Sequence, residues 1–196
     1  MTAAGNDDQD REDMSRLAGG HDVALNELMA RHGEKLFHYL LRQLHNGSDA
    51  ADLAQETFVR VYQNRTRYDP AHKFSTWLYT IATNLIRDRF RWHKRHPEIS
   101  MDAERDDSGS ILDSLPDTDA SPSERIAAAE RAHEVQVAIA ELPEDLRTAL
   151  ILFEYEGLSH AEIGSVLDCT AKAVENRLYR ARLQLRKTLA GILQAG

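Results

Sequence analysis

Between Gly157 and Lys187, two apolar stripes of helical spacing are separated by only three residues, Asp168-Cys169-Thr170, which leaves room for one sharp turn. Ser159 is placed to cap the first helix, with Glu162 reaching back to the cap, while Leu158, Ile163, Val166 and Leu167 supply its buried side. Thr170 is placed to cap the second, in which Val174, Leu178, Ala181 and Leu185 recur at spacings of three and four. The remaining faces carry Lys172, Arg177, Arg180, Arg182, Arg186 and Lys187 against one acid, Glu175. A merely solvated helix usually alternates its signs to gain pairs three or four apart, so this imbalance argues against a wet hairpin. A basic helix after so short a turn has the geometry of a helix-turn-helix, whose second helix enters the major groove. The candidate duplex contacts are Thr170, Lys172, Glu175, Asn176, Arg177, Arg180 and Arg182.

A second segment, Phe74 to Arg95, interleaves rings with cations. Unpaired strands are held by aromatic platforms and by cations that follow the phosphates, which makes Trp77 with Arg87, Arg91 and Lys94 or Arg95 a candidate single-strand surface. Thr83 and Asn84 offer hydrogen-bonding groups one turn earlier. The competing expectation is a plain core stripe of Trp77, Ile81 and Leu85, with Trp77 partly buried. Both hold together if the helix has one face inward and one outward.

Residues 49 to 63 predict a third amphipathic helix, with Leu53, Phe58 and Val61 inward and Asp52, Gln55, Glu56 and Arg60 outward. By composition alone that outer face is simply wet.

Charge divides the chain. The total is −8, yet residues 1 to 13 hold five acids and one base, residues 97 to 126 nine acids and two bases, and residues 24 to 96 twelve bases and seven acids. A basic body between acidic flanks suits nucleic acid despite the acidic total, and the acid is expected in the flexible parts. Residues 97 to 123, rich in Pro, Asp and Ser, read as a linker that averages roughly 28 Å end to end and reaches roughly 80 Å. The predicted fold is all-α: an acidic tail and short helix over 1–20, a helical bundle over 21–96, the flexible acidic linker over 97–123 and a helix-turn-helix domain over 124–196. Helices are expected near 12–18, 22–45, 49–64, 74–95, 124–140, 144–156, 159–167 and 171–190. The sequence has no apolar run long enough to span a bilayer, and the amino terminus lacks the basic and apolar parts of a signal peptide, so a cytoplasmic location is expected. The single cysteine, Cys169, reads as a small packing residue of the turn.

In this order, the three segments resemble a bacterial sigma factor of the small extracytoplasmic-function group. Asp49 to Phe58 is similar to that family's polymerase-binding helix, Phe74 to Asn84 with Asp88 and Arg91 to its promoter-opening helix, and Gly157-Leu158-Ser159, Glu162-Ile163 and Arg180-Ala181-Arg182 to its upstream-element reader. The resemblance implies that Asp49, Asp52, Gln55, Glu56 and Arg60 meet core RNA polymerase. It also implies that a loop holding Tyr68, Asp69, His72 and Lys73, with Asn84 lining the same pocket, keeps a base flipped out of melted promoter DNA. An acidic linker would thread polymerase channels built for nucleic acid. An anti-sigma partner is implied as well, since such factors are commonly held inactive by one. Two positions depart from the family pattern: Ala51 stands where an acid is usual, and Glu175 stands where a base is common, removing a phosphate contact or offering an acceptor to a cytosine amino group.

Other functions fit the residues less well. The sequence shows no glycine-rich phosphate loop, no Cys-rich metal spacing and no carboxylate pair set apart from ordinary helix charge, so catalytic residues, metals and cofactors are not expected. His93 and His96 have a spacing that suits metal but belong more naturally to the basic face. Two non-enzymatic alternatives remain: a dimeric helix-turn-helix regulator acting without polymerase, which would leave the Trp77 helix as mere core, and a sigma mimic that binds a regulator.

Overall fold

The computed structural model describes residues 3–96 and 122–195. The helices among them lie close to the expected ones, except that the first is longer than expected and a 3-10 turn at Arg65–Arg67 was not anticipated, and no described residue is in a strand. The first half contains α1 (Ala3–Ala18), α2 (Ala24–Leu44), α3 (Gly47–Gln63), a 3-10 turn (Arg65–Arg67) and α4 (Phe74–Arg95). The second contains α5 (Pro122–Ala140), α6 (Glu144–Glu154), α7 (His160–Leu167) and α8 (Ala171–Ala195). Of the expected linker, residues 97–121 lie outside the described residues, and α5 begins two residues before the anticipated boundary.

Local chemistry explains the joints. His45 takes a left-handed conformation at φ 56° to end α2, and the Asn46 side chain then accepts the Asp49 amide at 2.9 Å to open α3. Ser159 and Glu162 form the anticipated reciprocal cap: the Glu162 amide donates to Ser159 Oγ at 3.3 Å, and the Ser159 amide donates to Glu162 Oε2 at 2.8 Å. Asp168 turns the chain at φ 52°, and Thr170 Oγ1 accepts the Ala173 amide at 3.1 Å to start α8. Gly164 makes this turn possible, because a Cβ there would stand 2.6 Å from the Cys169 carbonyl oxygen.

Three expectations are corrected. The first helix starts at Ala3, and Asp10 and Asp13 are buried in it, so this acid is not in a loose tail. In α4 the buried stripe is Phe74, Leu78, Tyr79, Ala82, Thr83 and Ile86, whereas Trp77, Ile81 and Leu85 are only half-buried at its margin. Thr83 is thus no DNA-facing group: it is buried, and its hydroxyl is 2.7 Å from that of Tyr39.

The two halves touch. α4 lies against α7 and α2 against α6, and the buried hydrocarbon runs continuously from one half into the other. Polar ties cross the same boundary. Tyr79 Oη donates to the Glu156 carboxylate, Arg42 Nη1 is 3.6 Å from the same group, and the Arg42 guanidinium lies 4.3 Å from the Tyr155 ring centre. Lys73 Nζ is 3.0 Å from Glu162.

Candidate nucleic-acid interface

The segment from Tyr68 to Lys73 is a loop that holds its own shape. Tyr68 Oη donates to the His72 carbonyl at 2.7 Å, Asp69 Oδ1 accepts the Ala71 amide at 2.9 Å, and Asp69 Oδ2 is 3.1 Å from His72 Nδ1. The half-buried Tyr68 ring packs 5.3 Å from Trp77, so the loop and the start of α4 share one aromatic wall. Burial raises the Tyr68 phenol above its ordinary value and keeps it a donor. Asp69, His72 and Lys73 are exposed.

Trp77, Asn84 and Arg91 recur every seven residues and therefore share a stripe that runs from this wall along α4. Asn84, Arg91 and Lys94 are exposed and Arg87 is half-buried beside them. Asp88, Arg91, Lys94 and Arg95 line a shallow depression, in which Asp88 pairs with Arg91. At the helix end Trp92 stacks on His96 with ring centres 4.9 Å apart, so the spacing that suited a metal serves ring packing. Among the described residues no cluster of three or more His, Cys, Asp or Glu suits a metal ion.

Lys73 does not stand alone. Its ammonium lies between Glu162 of α7 and Asp7 of α1, 3.0 and 3.7 Å away, and the hydrogen bond to Glu162 holds it above its ordinary value. Burial acts to raise Glu162, but hydrogen bonds from Ser159 and Lys73 outweigh it and leave that carboxyl below the usual range.

Thr170, which caps α8, and Lys172, Glu175, Asn176, Arg180 and Arg182 on it are all exposed, and Lys172 Nζ reaches Glu175 at 2.8 Å. Arg177 differs. Its side chain turns inward, with Nη1 donating to Cys169 Sγ at 3.2 Å and Nε 3.6 Å from Asp145, so it ties α8 to the turn and to α6. Arg182 pairs with Glu154 at 2.8 Å. Sequence reasoning missed Tyr179, which is 63 % exposed among Asn176, Arg180 and Leu183. An aromatic off the apolar stripe of a basic helix was the available signal.

On α3, Asp52, Gln55 and Arg60 are exposed and Glu56 is half-exposed, with Arg60 Nε donating to Glu56 at 2.6 Å. Asp49 is engaged by Arg89 of α4, a partner the sequence did not disclose. Leu53, Phe58 and Val61 face the core as expected, joined by Ala50 and Thr57.

Residues 28–96 match the family model for Sigma-70 region 2, and residues 132–185 match Sigma-70, region 4. The chain is 33 % identical over 178 residues to the ECF RNA polymerase sigma factor SigW of Bacillus subtilis, covering 90 % of this chain and 94 % of that one. It is 36 % identical over 176 residues to the RNA polymerase sigma factor CarQ of Myxococcus xanthus, covering 90 % and 95 %. Among solved structures, CnrH in complex with the cytosolic domain of CnrY is similar at a TM-score of 0.68 and 26 % identity, over 93 % of this chain and 98 % of that one.

Proposed function

The chain belongs to the extracytoplasmic-function group of sigma factors, and from that membership we propose how its residues share the work of directing promoter transcription. The exposed face of α8, from Lys172 to Arg180, reads the upstream element in intact duplex. Tyr68, Asp69, His72 and Lys73, with Trp77 and Asn84, capture an unpaired base near the start site, and Arg87, Arg91 and Lys94 follow its backbone. Asp52, Gln55, Glu56 and Arg60 on α3 meet core RNA polymerase, which performs the chemistry. Asp49 serves there through its pairing with Arg89, which fixes α3 on α4.

The observation that carries this reading is the pairing of two unlike surfaces in one chain: a reciprocally capped helix-turn-helix with a basic outer face, and an aromatic wall with a cationic stripe. A duplex-only regulator has no use for the second.

Two elements one to two helical turns apart are separated by roughly 35 to 70 Å, so halves that touch must part before both are engaged. A partner that keeps them together would hold the factor idle, and an anti-sigma factor is the partner this reading assigns; the similar CnrH was solved with a bound partner segment. No helix among the described residues is long and apolar enough to cross a membrane. The proposal has the chain work in the cytoplasm, from its kinship with factors that join polymerase.

Run-off transcription with core polymerase tests the proposal. A promoter-specific transcript and permanganate-reactive thymines near the start site are expected. Absence of a complex with core polymerase, or tight promoter binding that is indifferent to polymerase, overturns it.

A further inference from the structure

The reading above gives α1 no task. A surface helix ordinarily docks through an apolar stripe. The inward side of α1 mixes acid with hydrocarbon, and Asp10 and Asp13 are buried there along with Met14 and Leu17. Arg31 of α2 answers both carboxylates, with Nη2 2.8 Å from Asp13 and Nη1 on Asp10, while His32 Nε2 lies 2.9 Å from Asp10. Such a buried set adds little stability over hydrocarbon of the same volume, but any slip of α1 would strand each charge without its partner. Its product is therefore a fixed register.

That register decides what α1 presents to the loop before α4. Arg11, beside Asp10, donates from Nε to the Pro70 carbonyl at 3.1 Å, while its Nη1 is held by Asp8 at 2.6 Å. On the other side of the same network, the His32 ring lies 5.1 Å from that of Phe74, which in turn packs against Tyr68 and Trp77. The loop is thus tied at its tip through Pro70 and at its exit through Phe74, and both ties lead back to Asp10 and its neighbours.

We infer that α1 is a brace for the base-capturing loop and that Arg11 is a positioning residue in promoter opening. The inference rests on the reading of residues 68–73 as that loop. A charge-assisted hydrogen bond to a main-chain carbonyl holds the loop in one arrangement before DNA arrives, so less ordering remains when Tyr68, His72 and Lys73 close on a base. Because Arg11 grips the loop's main chain, its contribution goes to discrimination among bases. Upstream duplex binding, which belongs to α8, is independent of it.

The test uses holoenzyme and promoters carrying each of the four bases at the captured position, with open complexes scored by permanganate. Arg11→Ala is expected to cut discrimination between the preferred and other bases by about three- to tenfold, the equivalent of one lost hydrogen bond, while upstream binding and thermal midpoint hold. Arg11→Lys keeps a donor and restores most of the loss. An Arg11→Ala protein that discriminates like wild type, or that loses upstream binding and thermal midpoint in step with discrimination, overturns the brace. Lys73→Ala and His72→Ala separate the two readings. If they lose discrimination while Arg11→Ala keeps it, the brace alone falls; if all three keep it, the capture loop falls and the brace with it.

Discussion

Tyr79 and Glu156, 77 positions apart, meet in a hydrogen bond from phenol to carboxylate that joins the two halves of the molecule. The Glu156 side chain is only 3 % exposed, and Arg42 and Tyr155 close the same contact. Tyr79→Phe leaves the shape of α4 unchanged but removes the donor, and Glu156→Ala removes the acceptor and leaves Arg42 without its counter-charge. Each is expected to weaken the contact between halves by about 1–3 kcal/mol. Labels on α3 and α8 should report a longer mean distance by energy transfer, and an unchanged distance would show that hydrocarbon alone holds the halves together.

Acidity should act on that contact with a definite sign. Burial raises Glu156 above its ordinary value of 4.5, against the opposing pull of Tyr79, Arg42, Lys35 and His38. The closed form therefore binds more protons at Glu156 than a parted form, and its contribution is full below the ordinary value and fades as pH rises through the raised one. Glu162 runs the other way: its lowered value makes its tie to Lys73 fade only as pH falls below the ordinary carboxylate range. Interdomain distance followed from pH 4.5 upward should thus lengthen with pH in the parent and lose that slope in Glu156→Gln. A slope that survives the substitution would exclude Glu156 as its source.

The outward and inward arginines of α8 should separate by readout. Arg180→Ala is expected to cost about 1–3 kcal/mol of upstream binding if it reads a base, and to flatten the salt dependence if it meets phosphate. Arg177→Ala should instead lower the thermal midpoint, because its partners are Cys169 and Asp145 within the fold. Filter binding over a salt series, run beside calorimetry, distinguishes the two.

Gly164→Ala should destabilise the second half although alanine is the better helix former by about 1 kcal/mol. The new methyl would stand 2.6 Å from the Cys169 carbonyl oxygen, which is backbone and has nowhere to yield. A loss of about 1–3 kcal/mol in thermal or urea unfolding is expected, as for other overpacked sites, together with weaker upstream binding. Unchanged unfolding would mean that the turn can open without cost.

The helix-turn-helix was legible because its instructions are local. Ser159, Glu162, Thr170 and the stripe from Leu158 to Leu178 all act within four residues of their partners, and each is found where the sequence placed it. The register of α4 was less so: Trp77, Ile81 and Leu85 form as good a stripe as the true one, and only the neighbours on α2, α3 and α7 decide which side turns inward. α1 was misread because its inner face is acidic, and its cations, Arg31 and Lys73, lie in other segments. The reach of Glu156 to Tyr79, and of Arg177 to Asp145, leaves no mark in any window of the chain.

A protein cation that neutralises a DNA phosphate releases ions condensed on the nucleic acid, and this release makes binding fall steeply with salt. Lys73 instead has Asp7 and Glu162 as built-in counter-ions, so an incoming strand must displace tethered carboxylates that cannot diffuse away. Its share of the attraction for DNA is accordingly reduced by the cost of freeing those carboxylates and is governed by how far the chain's own acids can retreat.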